Sequence, residues 1–432
     1  MTTTKSTTLI LVDSKANSNK FYRLELDASG LLTKTFGRVG ASGQVSTDHS
    51  GLAGFERTLH EKKRKGYREV DVAESTPAAT SRTVDNSRLH TVAKTGLVSG
   101  KAKENAAVND LIERIVQANA HDILESSGGM IKVDTTGRVK TPVGLVTSSS
   151  IGQATVLLDR LEHVRAQDRT PLLEQYLTLV PQKVGSRAGW ADRFFDSPNV
   201  FAYQRDFLTQ LRDSVSFYEA QLKTQAQAPA DSAADIGFKY KIKAVADGGA
   251  VFKRIQAFYE SSKNGNHNTY GMKLRRVYEL VDAVGAKKYA EVAAEIRNEQ
   301  EMWHGTRAAN LLSILRTGLY VPPTSGTNIV IAGRMFGDGV YLSNQSTKSL
   351  QYAGSGGRGT AFMLLNDVAM GSEFRPDTWS NAGRLARTTL NKFGKPFNSI
   401  NVKAGTAGVR NHEAIVWNVD QIRCKHLVEF TS

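Results

Sequence analysis

Residues 335–341 of this chain read Met-Phe-Gly-Asp-Gly-Val-Tyr, in a region where glycine is concentrated. Three further motifs surround this stretch: His304-Gly305-Thr306-Arg307 before it, and residues 347–352 (Thr-Lys-Ser-Leu-Gln-Tyr) and 411–416 (Asn-His-Glu-Ala-Ile-Val) after it. Glycine lets a backbone turn sharply or approach a ligand closely. The residues from Phe238 onward mix short β-type runs with few long helices. The four motifs therefore predict a ligand site in a sheet-containing C-terminal domain.

The order and spacing of the four motifs resemble the catalytic domain of the poly(ADP-ribose) polymerases, with its His-Gly-Ser, Gly-Ile-Tyr, Lys-Ser and Glu-Tyr-Ile-Val elements. The resemblance implies that the protein cleaves NAD, as a co-substrate, without a metal. NAD loses nicotinamide through an oxocarbenium-like transition state, in which hydrogen bonds to the sugar 2-hydroxyl strengthen. A carboxylate within reach of that ribose serves this purpose, and by resemblance it is Glu413. The alternative for Glu413 is a surface carboxylate at the start of a strand.

The resemblance also assigns the residues that hold NAD. His304 matches the histidine that hydrogen-bonds the adenosine ribose, and Gly305 matches the glycine whose backbone clamps the nicotinamide amide. Tyr341 and Tyr352 match the two aromatic residues that sandwich the nicotinamide ring. The other matching positions complete the contacts to nicotinamide and adenosine: Thr306, Asn310, Lys348 and Ser349. His304, Tyr341 and Glu413 together form the expected catalytic set.

The sequence departs from the family pattern at four places. Thr306 replaces a serine, and Tyr320 stands where many relatives carry an arginine near the adenosine. The stretch Pro322 to Arg334 is slightly long, and the segment between Tyr352 and Asn411 is short. The contacts to adenine, the choice of acceptor and the branching of a product chain are therefore left open.

Composition limits the class of protein. At 432 residues the chain is too long for a single ordinary core, which predicts roughly two to four domains. Lys and Arg outnumber Asp and Glu by 56 to 42, and the resulting net charge of +14 fits a nucleic-acid partner and a soluble basic protein without one equally well. The one cysteine, Cys424, excludes an internal disulfide and a cysteine zinc finger. Neither a long apolar run nor a secretory leader is present, so we expect an intracellular protein with no membrane partner.

The first seventy residues have a β pattern with one helix. Residues 9–12, 21–26 and 31–38 predict strands. Residues 51–64 predict a helix, and its apolar side is expected to contain Leu52, Phe55 and Leu59.

Within this region, Phe36-Gly37-Arg38-Val39-Gly40 resembles the centre of a WGR domain, with Phe36 in place of the naming tryptophan. The resemblance implies that Phe36, Gly37 and Arg38 bind the ends of broken DNA. Arg38 is expected to be an exposed cation on a tight turn, able to meet a phosphate. The alternative is a plain β-turn with a solvated arginine.

Residues 105–223 show the apolar spacing of a helical bundle, for example at Leu157, Leu158 and Leu161. Residues 141–147 and 176–181 resemble elements of the family's helical regulatory domain, and Thr147 is expected to cap the helix that runs through Leu161. In the family this bundle covers the NAD site until DNA binding favours an open state. The alternative is a helical spacer without a regulatory role.

Together these patterns predict an α+β multidomain protein. The predicted parts are a small β-rich WGR domain at 1–72, a flexible linker at 73–104, an all-α helical regulatory bundle at 105–223, and a mixed α/β ADP-ribosyltransferase domain with antiparallel sheets at 238–432; residues 224–234 read as a second linker.

The predicted function is a DNA-break-activated transfer of ADP-ribose from NAD, in a DNA-damage response. The expected partners are DNA with strand breaks and protein acceptors, including the enzyme itself. Polymer and single-unit products both fit the residues at the site. Two other functions stay open: a non-catalytic scaffold that binds DNA ends, and a transferase that acts without DNA. The expected location is the nucleus in a eukaryote, or the cytoplasm or nucleoid for a prokaryotic or viral protein.

Overall fold

The computed structural model describes most of the chain, in these segments: 3–39, 43–70, 93–94, 96–98, 105–127, 131–133, 139–141, 144–182, 184, 189–195, 200–201, 203–212, 214–215, 238–321, 335–354, 357–378 and 382–432. The described residues divide into two compact units, the first formed by 3–70 and 119–215 and the second by 93–118, 238–321 and 335–432. The linker predicted at 73–104 lies almost entirely outside the described residues. Gly40, the segment 224–234 and the stretch Pro322 to Arg334 lie outside them too.

An antiparallel five-stranded sheet forms the N-terminal part of the first unit. Its elements are β1 Thr3–Asp13, β2 Ser18–Asp27, β3 Leu32–Arg38, β4 Gln44–Asp48, helix α1 Gly51–Arg64 and β5 Arg68–Val70. The strands lie in the order β4-β3-β2-β1-β5. The three predicted strands and the helix are confirmed. Strand β4 is largely exposed and β5 has only three residues, so neither shows the apolar alternation that predicts a strand.

The central strands β1 and β2 of this sheet pack against other elements on both faces. Leu9 packs with Phe55 of α1 on one face, whereas Ile10 and Phe21 join a cluster that includes Leu173 of the helical part of the same unit. Adjacent residues of a strand point to opposite faces. The run Leu9 to Val12 in β1 is therefore continuously apolar because each face has a partner to pack against.

The helical part of the first unit begins at residue 119. Its elements include the end of α2 Ala106–Ser126, α3 Ser148–His163, a 3-10 helix at Ala166–Asp168, α4 Thr170–Leu179 and α5 Trp190–Phe194; residues 203–212 are also helical. Thr147 caps α3 as predicted. Its hydroxyl oxygen accepts from the Ser150 N–H at 3.1 Å, while the Thr147 N–H donates to the Ser150 hydroxyl oxygen at 3.1 Å.

Two expectations for the first unit are wrong. The helical region is not purely helical, because it contains a small sheet of β6 Lys132–Val133, β7 Val139–Thr141 and β8 Gly144–Leu145. Strands of two or three residues are too short to show a two-residue period in the sequence. Leu52 was expected on the buried side of α1 but is 55% exposed, because it lies in the first turn, ahead of the residues that pack on the sheet.

The second unit contains two sheets and several helices. In chain order, its further elements are β9 Lys241–Ala244, α6 Ala250–Ser261, β10 Lys273–Val281, α7 Ala283–Ile296, β11 Glu299–Gly305, α8 Ala308–Thr317, β12 Val340–Leu342, α9 Ser346–Leu350, β13 Thr360–Ala369, β14 Glu373–Phe374, α10 Ala382–Thr388, β15 Ser399–Val402, β16 Glu413–Val416 and β17 Ile422–Thr431. One sheet has the order β11-β13-β17-β10-β9, the other β12-β16-β15-β14. All pairs are antiparallel except β14 with β15, which fits the predicted mixed α/β domain.

The core of the larger sheet forms around Trp303, which is fully buried. Its ring stacks on Phe258 of α6 with centroids 5.5 Å apart and meets Phe430 of β17 edge to face. In the smaller sheet, Ile415 packs with Ala386 of α10. These two apolar clusters fix the ends of β11 and β16, where the candidate site lies.

A buried carboxylate ties the first half of α2 to the larger sheet of the second unit. Glu429 is completely buried and accepts from Arg114 of α2 at 3.0 Å to each carboxylate oxygen, and from Arg275 at 2.8 Å. A buried charge is costly unless it is paired and hydrogen-bonded. Paired in this way, Glu429 holds the first half of α2 against the sheet.

Among the residues that the structure describes, no helix has the length and apolar character needed to cross a membrane.

Candidate functional site

A pair of backbone hydrogen bonds brings the two sheets of the second unit together. The Trp303 N–H donates to the Ser343 carbonyl at 2.8 Å, and the Ser343 N–H donates to the Trp303 carbonyl at 3.0 Å. This bridge places the end of β11 beside the end of β12. As a result, the His304 Nδ1 lies 2.9 Å from the Tyr341 carbonyl oxygen.

That contact sets the chemical state of His304. A carbonyl oxygen can only accept, so Nδ1 carries the proton and Nε2 of the neutral ring is an acceptor. Burial lowers the pKa of His304, and the charge of Lys348 acts in the same direction, although the Tyr341 carbonyl opposes them. At neutral pH the ring therefore presents an acceptor nitrogen, which suits a sugar hydroxyl.

Gly305 lies directly against the backbone of α9. A Cβ atom at this position would stand 1.7 Å from the Ser349 carbonyl oxygen, so no other residue fits without moving the chain. The Ser349 hydroxyl donates to the Trp303 carbonyl at 3.2 Å and is buried. The packing of β11 on α9 therefore requires glycine at this position, independently of any ligand.

Tyr341 forms hydrogen bonds with the start of its own glycine-rich motif, residues 335–341. Its hydroxyl donates to the Gly337 carbonyl at 2.6 Å and accepts from the Phe336 N–H at 3.1 Å. Gly339 has φ +153, and a Cβ there would come within 2.3 Å of the Ile415 side chain. The motif is thus a tight turn that fixes the Tyr341 ring against β16.

Glu413 forms an ion pair with Lys348. Its Oε2 lies 2.6 Å from the Lys348 Nζ, and the two side chains are only 13% and 6% exposed. Burial raises the pKa of Glu413, and the neighbouring Lys348 ammonium partly offsets that rise. Because Oε1 has no hydrogen-bond partner within the described segments, one carboxylate oxygen is left to accept from a ligand.

Strand register connects this pair to the rest of the site. Tyr341 pairs with Ile415 and Leu342 with Ala414, so Glu413 begins the strand that runs beside Tyr341. The Lys348 Nζ also lies 5.2 Å from the centre of the Tyr352 ring, and Tyr352 is 53% exposed. The structure therefore brings His304, Tyr341, Lys348 and Glu413 to one place, with Tyr352 at the rim.

The residues expected on the adenosine side follow β11 in the chain. The Asn310 side-chain amide donates to the Thr306 hydroxyl at 3.4 Å. Thr306 is buried, while Tyr320 is 44% exposed. The predicted adenosine contacts stay a prediction, as does the absence of a metal. Within the described parts of the chain, no three His, Cys, Asp or Glu side chains form a group that could hold one.

Sequence reasoning missed a second histidine at the site. His412 is buried, its Nδ1 accepts from the Asn344 N–H at 3.1 Å, and its Nε2 lies 3.2 Å from Asn401 Oδ1. Burial and then the charge of Lys348 lower the pKa of His412 to about 4. The neutral ring holds the start of β16, and hence Glu413, in register. Its position next to Glu413 in the motif was the one sequence signal for this role.

His267, unlike His412, lies outside the four motifs but also contacts the site. Its Nδ1 lies 2.9 Å from the Thr347 hydroxyl and its Nε2 lies 3.0 Å from Asn411 Oδ1. It therefore links α9, which carries Lys348, to the segment before Glu413. No local pattern around residue 267 predicts this contact, since its partners are far away in the sequence.

The predicted DNA-binding residues lie in the first unit and form the end of β3. Phe36 stacks on Tyr22 with ring centroids 5.2 Å apart, and Gly37 pairs with Phe21. Arg38 is half-buried and donates to the Asn17 carbonyl at 3.0 Å. The interpretation of Arg38 as an exposed cation on a turn is therefore wrong, because strand pairing brings the Asn17 turn against it. Whether these residues bind DNA stays a prediction.

Two sequence profiles match the chain. One, described as "Poly(ADP-ribose) polymerase catalytic domain", matches residues 250–432, and the other, described as "WGR domain", matches residues 5–74.

The chain is also similar to individual proteins. It is 34% identical over 129 residues to a poly [ADP-ribose] polymerase-like protein of Invertebrate iridescent virus 6, covering 30% of this chain and 68% of that one. It is 22% identical over 386 residues to Poly [ADP-ribose] polymerase 1 of Xenopus laevis, covering 85% of this chain and 38% of that one. It is 24% identical over 409 residues to Protein mono-ADP-ribosyltransferase PARP3 of Homo sapiens, covering 86% of this chain and 72% of that one. The chain thus spans well under half of the Xenopus relative.

Proposed function

Because the chain belongs to the poly(ADP-ribose) polymerase family, we propose that it is an ADP-ribosyltransferase that cleaves NAD and releases nicotinamide. The observation that carries the proposal is the buried ion pair of Lys348 and Glu413, with Nζ and Oε2 2.6 Å apart, near the neutral His304. A carboxylate fixed in a water-poor site stabilises developing positive charge far more than it would in water.

The residues of the site divide the work between binding and chemistry. His304 presents an acceptor nitrogen to a ribose hydroxyl, and Gly305 with Ser349 receives the nicotinamide amide. Tyr341 and Tyr352 flank the ring. Oε1 of Glu413 accepts from the ribose 2-hydroxyl, and this hydrogen bond strengthens as charge develops at C1. The Lys348 ammonium opposes the rise in the Glu413 pKa that burial causes, and so favours the ionised carboxylate.

The direct test is incubation of the purified chain with labelled NAD, with and without nicked DNA. We expect nicotinamide release and labelled protein, with more of both when nicked DNA is present. On a gel, a ladder means a polymeric product and one sharp band means a single unit. If no nicotinamide is released under either condition, the proposal is wrong and a non-catalytic scaffold becomes the better interpretation.

We further propose that DNA breaks activate the enzyme and that it modifies proteins, including itself. The match of residues 5–74 to the WGR domain and the net charge of +14 support this proposal. Within the first unit, the Ser14 N–H donates to Glu174 of α4 at 2.7 Å, and Tyr176 of the same helix is buried. A ligand on the N-terminal sheet would therefore act on a helix that the sheet already contacts.

Binding to nicked duplex should weaken steeply with salt. Each phosphate that a Lys or Arg side chain neutralises adds about −0.9 to the slope of log affinity against log salt, because binding releases the counterions of that phosphate. Fluorescence anisotropy at several salt concentrations measures this slope. An affinity that did not change with salt would show that Lys and Arg side chains do not contact the phosphates of the DNA.

Removing the charge next to Glu413 should change the pH dependence of the reaction. In Lys348→Met the ammonium no longer lowers the pKa of Glu413, so the rise that burial causes is unopposed. The active form is the carboxylate, and the acidic limb of the kcat–pH profile should therefore move to higher pH. The control is Lys348→Arg, which keeps the positive charge and should leave the acidic limb at the wild-type pH. An acidic limb at the same pH in Lys348→Met and the wild type would exclude this coupling.

A further inference from the structure

One stretch of the second unit contains basic residues but no acidic ones. Between Ala382 and His412 the sequence has no Asp or Glu, but it has six Lys and Arg residues: Arg384, Arg387, Lys392, Lys395, Lys403 and Arg410. All six are exposed, and none of them pairs with a carboxylate within the described segments. Four of the six lie close together in the sequence, at 384–395. A cluster of unpaired cations attracts a polyanion.

The middle of this stretch is a tight turn, residues 390–396, which we call the basic turn. The Asn391 N–H donates to the Lys395 carbonyl at 2.7 Å, and the Gly394 N–H donates to the Asn391 carbonyl at 2.9 Å. The Asn391 side chain accepts from the Phe393 N–H at 2.8 Å and from the Lys395 N–H at 3.2 Å. These four bonds brace the basic turn from within.

The basic turn presents apolar groups to solvent. Phe393 is 73% exposed at its tip, and Leu390 at its base is 59% exposed. The Lys392 Nζ lies 4.9 Å from the centre of the Phe393 ring. A large aromatic side chain that packs against no core, next to an ammonium group, points to a partner with both a flat apolar face and negative charge.

We propose that the basic turn binds single-stranded nucleic acid, with an unpaired base stacked on Phe393 and phosphates at Lys392 and Lys395. Every base has a flat π face, and stacking on an aromatic side chain does not depend on its sequence. An acidic protein segment would satisfy the lysines but gives Phe393 no comparable partner. A turn already fixed by its own hydrogen bonds loses little freedom on binding. The proposal does not depend on NAD cleavage, and it uses none of the residues Phe36 to Arg38.

The test uses the full chain without NAD, and measures binding of a labelled oligothymidylate by anisotropy at several salt concentrations. Phe393→Ala should weaken binding about tenfold without changing the salt slope, since it removes stacking but no charge. Phe393→Trp should bind at least as tightly as the wild type. The double variant Lys392→Gln/Lys395→Gln should reduce the salt slope by about 1.4, at about 0.7 per phosphate contact on a single strand.

The matched control is Lys287→Gln/Lys288→Gln, which removes two exposed lysines from α7 and should leave binding unchanged. The proposal would be wrong if Phe393→Ala bound the oligonucleotide within twofold of the wild type, or if the control lost as much affinity as Lys392→Gln/Lys395→Gln. It would also be wrong if polyglutamate displaced the labelled oligonucleotide as effectively as unlabelled oligothymidylate does. A blunt duplex measured in parallel should be unaffected by Phe393→Ala, because its bases are not free to stack. An equal loss for duplex and single strand would also contradict the stacking role.

Discussion

Replacement of Glu413 by glutamine should lower the rate of nicotinamide release by about 100- to 1,000-fold, the usual cost of losing one electrostatic contact aimed at transition-state charge. The glutamine oxygen can still accept from Lys348, which lies 2.6 Å from the carboxylate in the wild type. The fold and NAD binding should therefore change little. The loss should be confined to kcat, because the contact matters most in the transition state.

The measurement pairs kcat at saturating NAD with the NAD Kd from calorimetry. Glu301→Gln is a suitable control, since Glu301 forms an ion pair with Arg254 at 2.7 Å outside the site. We expect that control to keep the wild-type rate. A Glu413→Gln protein that lost NAD affinity as much as rate would place Glu413 in ground-state binding and contradict the role proposed for it.

The second large effect is expected for Gly305→Ala. The new Cβ atom would lie 1.7 Å from the Ser349 carbonyl oxygen, and no flexible side chain is there to move aside. Either β11 or α9 must shift, and these elements carry His304 and Lys348. A displacement of about 1 Å at a catalytic group can cost about 100-fold in rate, and overpacking costs about 1–3 kcal/mol of unfolding free energy.

Nicotinamide release and denaturant unfolding together measure these two losses. Gly271→Ala is the matched control, because a Cβ at Gly271 meets nothing within 4 Å and its backbone is not left-handed. It should behave as wild type in both measurements. An active, fully stable Gly305→Ala protein would show that β11 and α9 are not held together as the structure has them.

The fold could be predicted from sequence where apolar patterns are long. Helix α1 and strands β1 to β3 were predicted because each carries enough apolar residues to reveal its period. The sheet β6-β7-β8 could not be, since its strands have two or three residues. Leu52 follows the helical spacing yet is 55% exposed. Its exposure could not be predicted, because the sequence does not show at which residue of α1 the contact with the sheet begins.

The environment of Arg38 shows the same limit for a binding residue. The sequence places a cation between small residues, which is typical of an exposed turn. Pairing of β2 with β3 sets Arg38 opposite Lys20 and next to the Asn17 turn. The register of β2 against β3 therefore determines that Arg38 contacts the Asn17 carbonyl. One short motif does not specify that register.

The four motifs by themselves determined the residue types at the site and the chemistry that they can support. A carboxylate, a histidine and two tyrosines in the family's order predicted NAD cleavage through the resemblance that they carry. Tertiary structure alone decided their states. Lys348 meets Glu413 from 65 residues away, the Tyr341 carbonyl fixes the acceptor nitrogen of His304, and His412 and His267 hold the surrounding segments. These contacts join distant parts of the chain through sheet pairing and burial, and pKa values depend on what surrounds a group, which the local sequence does not encode.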